Sequence, residues 1–198
     1  MLLYDSAVSG NCYKVRLLLA QLGIAYERQE VDVVDRSARK ELLGELNPAL
    51  RVPTLVFDDG RVLAESGAIL WYLATGTPYL PSDAWTLAKL LQWMFFEQYS
   101  HEPNVAVARF WLHAVGAAPS EEVLAEKQRL GYLALDALEQ GLEGQEFLVG
   151  GRYTIADIAL YAYTHVAADG GFDLTRYPGI QAWLARVAGQ PGHVTLDA

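Results

Sequence analysis

Cysteine is almost missing from this sequence. The single Cys12 allows no disulfide within the chain and no cysteine-built zinc site. His101, His113, His165 and His193 show no HxxxH spacing, so no metal site is expected. Basic residues are in deficit: 15 Lys and Arg face 24 Asp and Glu, a formal charge of −9 over 198 residues. Generic binding to nucleic acid or to an anionic membrane needs a basic footprint, so neither partner is expected. The opening MLLYDSAVSG has no basic segment followed by a long apolar one, so no signal peptide is expected. The longest uncharged stretch, Ser66 to Ser82, contains Gly76, Pro78 and Pro81. It reads as a helix running into a linker, not as a membrane span, and the cytoplasm is the expected compartment.

What is present falls into two halves. The first alternates strand and helix. Leu2–Tyr4 is a short apolar run. Val15, Leu18, Leu19 and Leu22 then mark one face of a helix that Ser9 caps and Gly23 closes. Residues 25–33 read as a second strand with poor alternation, and Leu42, Leu43 and Leu46 suggest a helix that stops at Asn47-Pro48. Thr54–Phe57 and Arg61–Ala64 flank Asp58-Asp59-Gly60, a hairpin signal. A helix from Ser66 completes the order β-α-β-α-β-β-α.

Beyond the Pro- and Gly-broken linker at 77–82, no convincing strand is visible. Leu87, Leu90, Leu91 and Met94 mark a helix expected to halt before Pro103, and another runs on to Gly116. Ser120 with Glu121 and Glu122 opens the next. Thr154 and Asp157 have capping-box spacing, with Tyr153 and Ile158 placed for a staple. Ile180, Trp183, Leu184 and Val187 follow Pro178 at amphipathic spacing.

This order resembles the cytosolic glutathione S-transferases over nearly the whole chain. Four segments carry the resemblance: SGNCYKVRLLLAQLG at the first helix, NPALRVPTL before the hairpin, AESGAILWYL after it, and YTIADIAL in the helical half. The resemblance implies a thioredoxin-like α/β N-terminal domain at 1–76 that binds glutathione, and an all-α C-terminal domain at 83–198 that supplies the second-substrate pocket. It implies bacterial relatives of serine/asparagine type, similar to theta- and nu-like classes. It also implies a homodimer, with a small hydrophobic electrophile as the other substrate.

Site residues follow from the same resemblance. Val52-Pro53 is similar to the family's cis-proline turn, whose backbone pairs with the tripeptide as an added strand; an ordinary trans proline is the alternative. Ser66, besides capping its helix, matches the serine that holds the γ-glutamyl carboxylate. Glu65 matches the acidic neighbour of the α-ammonium group. Arg51 occupies the place of a basic residue reaching the glycyl carboxylate, and equally reads as a solvated arginine. Asp157 reads as a folding element.

Transfer needs the glutathione thiolate, because the thiol is a poor nucleophile. Lowering a thiol pKa from about 8.5 by about two units takes about 2.7 kcal/mol. A helix N-terminus contributes about 0.3–1 kcal/mol and a hydrogen bond to a charge about 1.5–3 kcal/mol. A donor must therefore carry most of the effect. Ser9 is the expected donor, and Asn11, which otherwise reads as a turn residue, shares or supports the role. Ser9, Asn11, Lys14 and Val15 fit the spacing of bacterial relatives that carry a hydroxyl residue, then Asn, then Lys-Val. Cys12 reads as a buried apolar group, or alternatively as a reactive thiol. For the second substrate, Tyr99, Asn104 and Trp111 are the expected pocket residues, with His101 and Arg109 nearby in the chain. Two alternatives share these residues: a glutathione-dependent disulfide reductase or peroxidase, and a non-catalytic binding or regulatory module.

Overall fold

A computed structural model describes residues 1–198. They form two compact units: Met1–Gly76 together with Pro191–Ala198, and Thr77–Gln190. In the first unit, β1 (Leu2–Asp5), α1 (Gly10–Leu22), β2 (Glu27–Glu30), α2 (Arg39–Leu43), β3 (Thr54–Val56), β4 (Val62–Ala64) and α3 (Ser66–Ala74) follow the order expected from the sequence. The four strands lie in the order β2-β1-β3-β4. β1 pairs with β2 in parallel and with β3 antiparallel, and β3 pairs antiparallel with β4.

Leu3, Val15, Leu19, Leu55 and Ile69 form the core between sheet and helices, with Ile24, Tyr26, Phe57, Leu63 and Leu73 packed against it. β2 is shorter than the expected 25–33, and its sequence ERQE is exposed throughout. Charged side chains on an edge strand discourage pairing with a further chain, which explains the poor alternation. α1 begins on Ser9 and closes on Gly23, whose φ of 65° and N–H contacts to Leu19 and Ala20 carbonyls fit a left-handed cap. Its burial is not confined to one face: every residue from Cys12 to Leu19 is buried.

One cause is the final segment, which packs on α1 rather than extending the helical unit. The Tyr13 hydroxyl donates to the Val194 carbonyl at 2.7 Å, Arg16 Nη2 to Leu196 at 2.5 Å and Arg28 Nη1 to Ala198 at 2.9 Å. The helical domain expected at 83–198 therefore gives up residues 191–198 to the first unit.

The second unit contains α4 (Ala84–Phe96), α5 (Glu102–Arg109), α6 (Glu121–Gly141), α7 (Ile155–Thr164) and α8 (Pro178–Ala188). The expected halt before Pro103 does not occur. A π-helical segment, Glu97–His101, joins α4 to α5, and the Glu102 N–H reaches back to the Glu97 carbonyl. Pro103 then follows the π segment inside a continuous helix, and π bulges are one of the local adjustments found where a helix departs from its regular bonding. A second π segment, Phe110–Val115, ends at Gly116, whose φ is 82°.

Asp157 is fully buried and holds the start of α7. Its Oδ2 accepts the Thr154 N–H at 2.9 Å and hydroxyl at 3.1 Å, completing the capping box. Its Oδ1 accepts the Leu148 N–H and the Trp183 indole N–H, each at 3.0 Å. Asp157→Ala strands three buried N–H donors at about 1–3 kcal/mol each. The expected loss is about 3 kcal/mol or more in urea unfolding followed by tryptophan fluorescence; a loss below 1 kcal/mol contradicts this account.

Candidate functional site

Strand directions bring three loops to one end of the sheet. β1 runs antiparallel to β3, and β3 antiparallel to β4. The C-terminal ends of β1 and β4 therefore share an edge with the N-terminal end of β3. In register, Tyr4 stands beside Thr54, and Thr54 beside Ala64. The segments that continue from this edge contain Ser9, Val52-Pro53 and Glu65-Ser66. Two helices, α1 and α3, thus start at this edge, where unsatisfied N–H groups favour anions.

The loop after β1 is held from behind. Arg16 and Asp5 form a buried ion pair, Nη1 to Oδ1 at 2.6 Å. The same guanidinium reaches the Ser6 carbonyl at 3.3 Å and the Ala7 carbonyl at 3.4 Å. Arg28 Nε lies 2.7 Å from Asp5 Oδ2 as a second cation, without hydrogen-bond alignment. Neither arginine stands out in the sequence pattern: Arg16 lies within an apolar helix and Arg28 on a charged strand, and in neither place does the local sequence give a sign of the partner.

At the N-terminus of α1, Ser9 Oγ accepts the Cys12 N–H at 3.3 Å. The hydroxyl proton is what Ser9 then has to give. Asn11 Oδ1 accepts from Lys14 Nζ at 2.7 Å and from Ser66 Oγ at 3.4 Å. The Ser66 contact spans 55 positions and joins the two helix starts. No acidic residue occupies the first turn of α1.

Cys12 is completely buried. Burial pushes its thiol pKa far up, reinforced by Asp5; contacts with Ser9, Ser6 and Arg16 only partly oppose the rise. A thiol held in its neutral form makes a poor nucleophile, so the reactive-thiol alternative for Cys12 finds no support here.

The Val52–Pro53 bond is cis, and Val52 makes no backbone hydrogen bond of its own. Asn47 organises this loop: its Nδ2 donates to the Arg51 carbonyl and to Thr54 Oγ1, each at 3.0 Å. Its Oδ1 accepts the Ala49 N–H at 3.0 Å. Asn47-Pro48 had signalled only a helix stop; the asparagine's capacity to bond its own downstream backbone was the available clue. The Arg51 side chain is exposed. Glu65 has φ 71° and ψ 116°, a conformation that costs a non-glycine residue about 1–3 kcal/mol and tends to mark functional loops. Ser66 follows it, buried to 5% exposure at the first position of α3.

The three expected second-substrate residues are not drawn together by any mutual bond. Tyr99 is 87% exposed on the first π segment. Asn104 is buried, donating to the Ser100 carbonyl at 2.7 Å and accepting from Lys127 at 3.4 Å. Trp111 is half-buried on the second π segment. A cavity of about 720 Å³ in this unit lies elsewhere, lined by Trp85, Lys89, Trp93 and Phe96 of α4 and by Gln140 and Gly141 of α6.

Comparison with known proteins agrees with the fold. Residues 8–75 match the family described as "Glutathione S-transferase, N-terminal domain", and residues 93–191 match "Glutathione S-transferase, C-terminal domain". A crystal structure of a glutathione S-transferase from Pseudomonas fluorescens is 49% identical, with a TM-score of 0.95 over 98% of each chain. Glutathione S-transferase 3 of Zea mays is 30% identical over 96% of this chain and 89% of its own length. The disulfide-bond oxidoreductase YfcG of Escherichia coli is 30% identical over 97% of this chain and 93% of its own. With both domains matched in order, the chain belongs to the glutathione S-transferase family.

Proposed function

We propose that this chain is a glutathione transferase in which the Ser9 hydroxyl and the Asn11 amide stabilise the glutathione thiolate. The observation that carries the reading is the Ser66–Asn11 contact, which puts the anion-holding start of α3 next to the start of α1. In the proposed complex the γ-glutamyl carboxylate takes the Ser66 hydroxyl and the N-terminal amides of α3. Glu65 faces the α-ammonium group, Val52 pairs through its backbone beside Pro53, and Arg51 takes the glycyl carboxylate. The cysteinyl sulfur then comes to Ser9 and Asn11.

The sulfur loses its proton to solvent. Its electron pair forms a C–S bond with a small hydrophobic electrophile, and the leaving group departs with the electrons of the bond it breaks. Tyr99 and Trp111 are the aromatic candidates for holding that electrophile; the Asn104 amide is already engaged by Ser100 and Lys127. A cytoplasmic setting is part of the reading, and no helix is long and apolar enough to cross a membrane.

A second reading has one specific support, the relative described as a disulfide-bond oxidoreductase. The same thiolate would attack a disulfide sulfur instead of carbon, and a second glutathione would resolve the mixed disulfide. Cys12 takes no part in either reading. A homodimer also belongs to the proposal. Trp85, Phe95 and Tyr99 are exposed on the α4 helix and its π continuation, and their spacing forms one stripe of the kind that pairs with another helix.

Ser9→Ala is expected to raise the pKa of bound glutathione by about one to two units, the loss of one hydrogen bond to a charged sulfur. Glutathione affinity should change little. Ser66→Ala is expected instead to weaken binding about tenfold. Ultraviolet titration of the bound thiol and calorimetry read these two quantities, and an unchanged thiol pKa in Ser9→Ala overturns the donor assignment. Parallel assays with an aryl halide and a mixed disulfide separate the two readings. Iodoacetamide should leave Cys12 unmodified at pH 8 in the native protein and alkylate it once unfolded; rapid native labelling contradicts the buried neutral thiol. Light scattering should give twice the chain mass, and Phe95→Glu should shift it towards one.

A further inference from the structure

Four side chains of α4 recur at the spacing of one helix face: Thr86, Lys89, Trp93 and Phe96. All four line the cavity of about 720 Å³ that α4 forms with the end of α6 and residues 145–150. That volume lies within the range of about 300–1,000 Å³ typical of small-molecule pockets. Every lining residue belongs to the second unit, and none is among those assigned above to glutathione or to the electrophile.

The walls favour a flat apolar body. Trp93 and Phe96 meet edge to face, with ring centroids 5.3 Å apart and planes at 89°, so together they make an aromatic corner. Gly141 lets the indole in: a Cβ built there would overlap the six-membered ring of Trp93. This glycine has no positive φ, so what it supplies is room and not backbone freedom. Trp85, 76% exposed, adds a further ring to the lining.

Charge then selects among flat ligands. Lys89 is the one charged residue of the lining, in a chain whose net charge is −9. Its Nζ donates to Gln92 Oε1 at 2.8 Å and has no carboxylate partner, although an ammonium carries three hydrogens. The acid beside the cavity on α6, Glu139, is taken instead by the Gly179 and Ile180 N–H groups, each at 2.8 Å. Gln140 and Gln145 line the same cavity with exposed carboxamides, whose NH₂ groups are further donors. We infer that the cavity between α4 and α6 is a binding site for small planar aromatic carboxylates, with Lys89 as the group that selects the anion. The site shares no residue with the proposed thiolate chemistry and does not depend on it.

Calorimetry with 2-naphthoate on the full-length protein, saturated with S-hexylglutathione, tests the inference. The alkyl glutathione fills the proposed conjugating site, so naphthoate that still binds does so elsewhere. One site per chain is expected, and its Kd should rise with sodium chloride concentration. Lys89→Gln should weaken 2-naphthoate about tenfold, the loss of one hydrogen bond to a charged group. Its neutral counterpart, 2-naphthylmethanol, should stay within about twofold. Gln140→Glu should weaken the anion similarly by adding a like charge, and should also spare the alcohol. Gly141→Ala, which must displace the Trp93 ring, should weaken both ligands.

No binding in the presence of S-hexylglutathione overturns the inference, as does an unchanged naphthoate affinity in Lys89→Gln. Equal loss of both ligands in Lys89→Gln also refutes it, because the ammonium would then shape the cavity without selecting the anion. Phe95→Glu alters the proposed dimer stripe and not the cavity lining, so the Kd should not change. Loss of binding there overturns the assignment to the cavity of a single chain. Lys89 is partly exposed and Gln140 fully so, and their two variants decide the matter even if Gly141→Ala does not fold.

Discussion

The buried ion pair between Arg16 and Asp5 is the interaction on which the first unit depends. Both side chains are essentially removed from water, at 1% and 0% exposure. Removing one partner of such a pair costs about 3–5 kcal/mol, because the other charge is left buried alone. The pair fastens the end of β1 to the second turn of α1, and its guanidinium also gathers the carbonyls of Ser6, Ala7 and Leu196. Ser9 hangs from the short loop these contacts enclose. Its hydroxyl is placed by an arrangement built on a charge, next to the apolar core that Leu3, Val15 and Leu19 form.

An acidic protein that binds an acidic tripeptide must concentrate donors locally against its own global sign. The chain does this partly with backbone, by starting α1 and α3 at one sheet edge. It also groups cations on the connection between β2 and β3. Burial and the neighbouring Arg36 and Arg51 charges lower the pKa of Arg39, while Asp32 opposes them. Arg39 also reaches the Val33 and Leu50 carbonyls at 3.2 and 3.5 Å. Three guanidiniums in one region of a chain with net charge −9 make a field that favours carboxylates where the proline loop begins.

Much of this architecture was legible from sequence because it obeys local rules. Ser9, Gly23, Ser120 and the Thr154–Asp157 pair mark helix ends through chemistry that acts within four residues. What escaped is what depends on distant neighbours. The π winding at Glu97–His101 leaves no local signature, so Pro103 read as a terminator although the helix passes through it. Asn47 read as a stop signal, whereas its amide supports Arg51 and Thr54. Lys14 was visible only as part of a spacing; its burial depends on how α1 is covered, which the chain's periodicity does not encode. Tyr99, Asn104 and Trp111 are aromatic or polar residues on one stretch, and residue type says little about which of them share a cavity.

The return of residues 191–198 to α1 makes the helical unit an insertion within the first, not an appendage to it. Tyr13 and Arg16 find carbonyl partners at Val194 and Leu196, some 180 positions later. The glutathione-binding unit is thus stitched from two segments that lie far apart along the chain. A helix near the front of the chain borrows its last acceptors from a strap that crosses back after the inserted unit, so clipping that strap would loosen the helix that begins at Ser9.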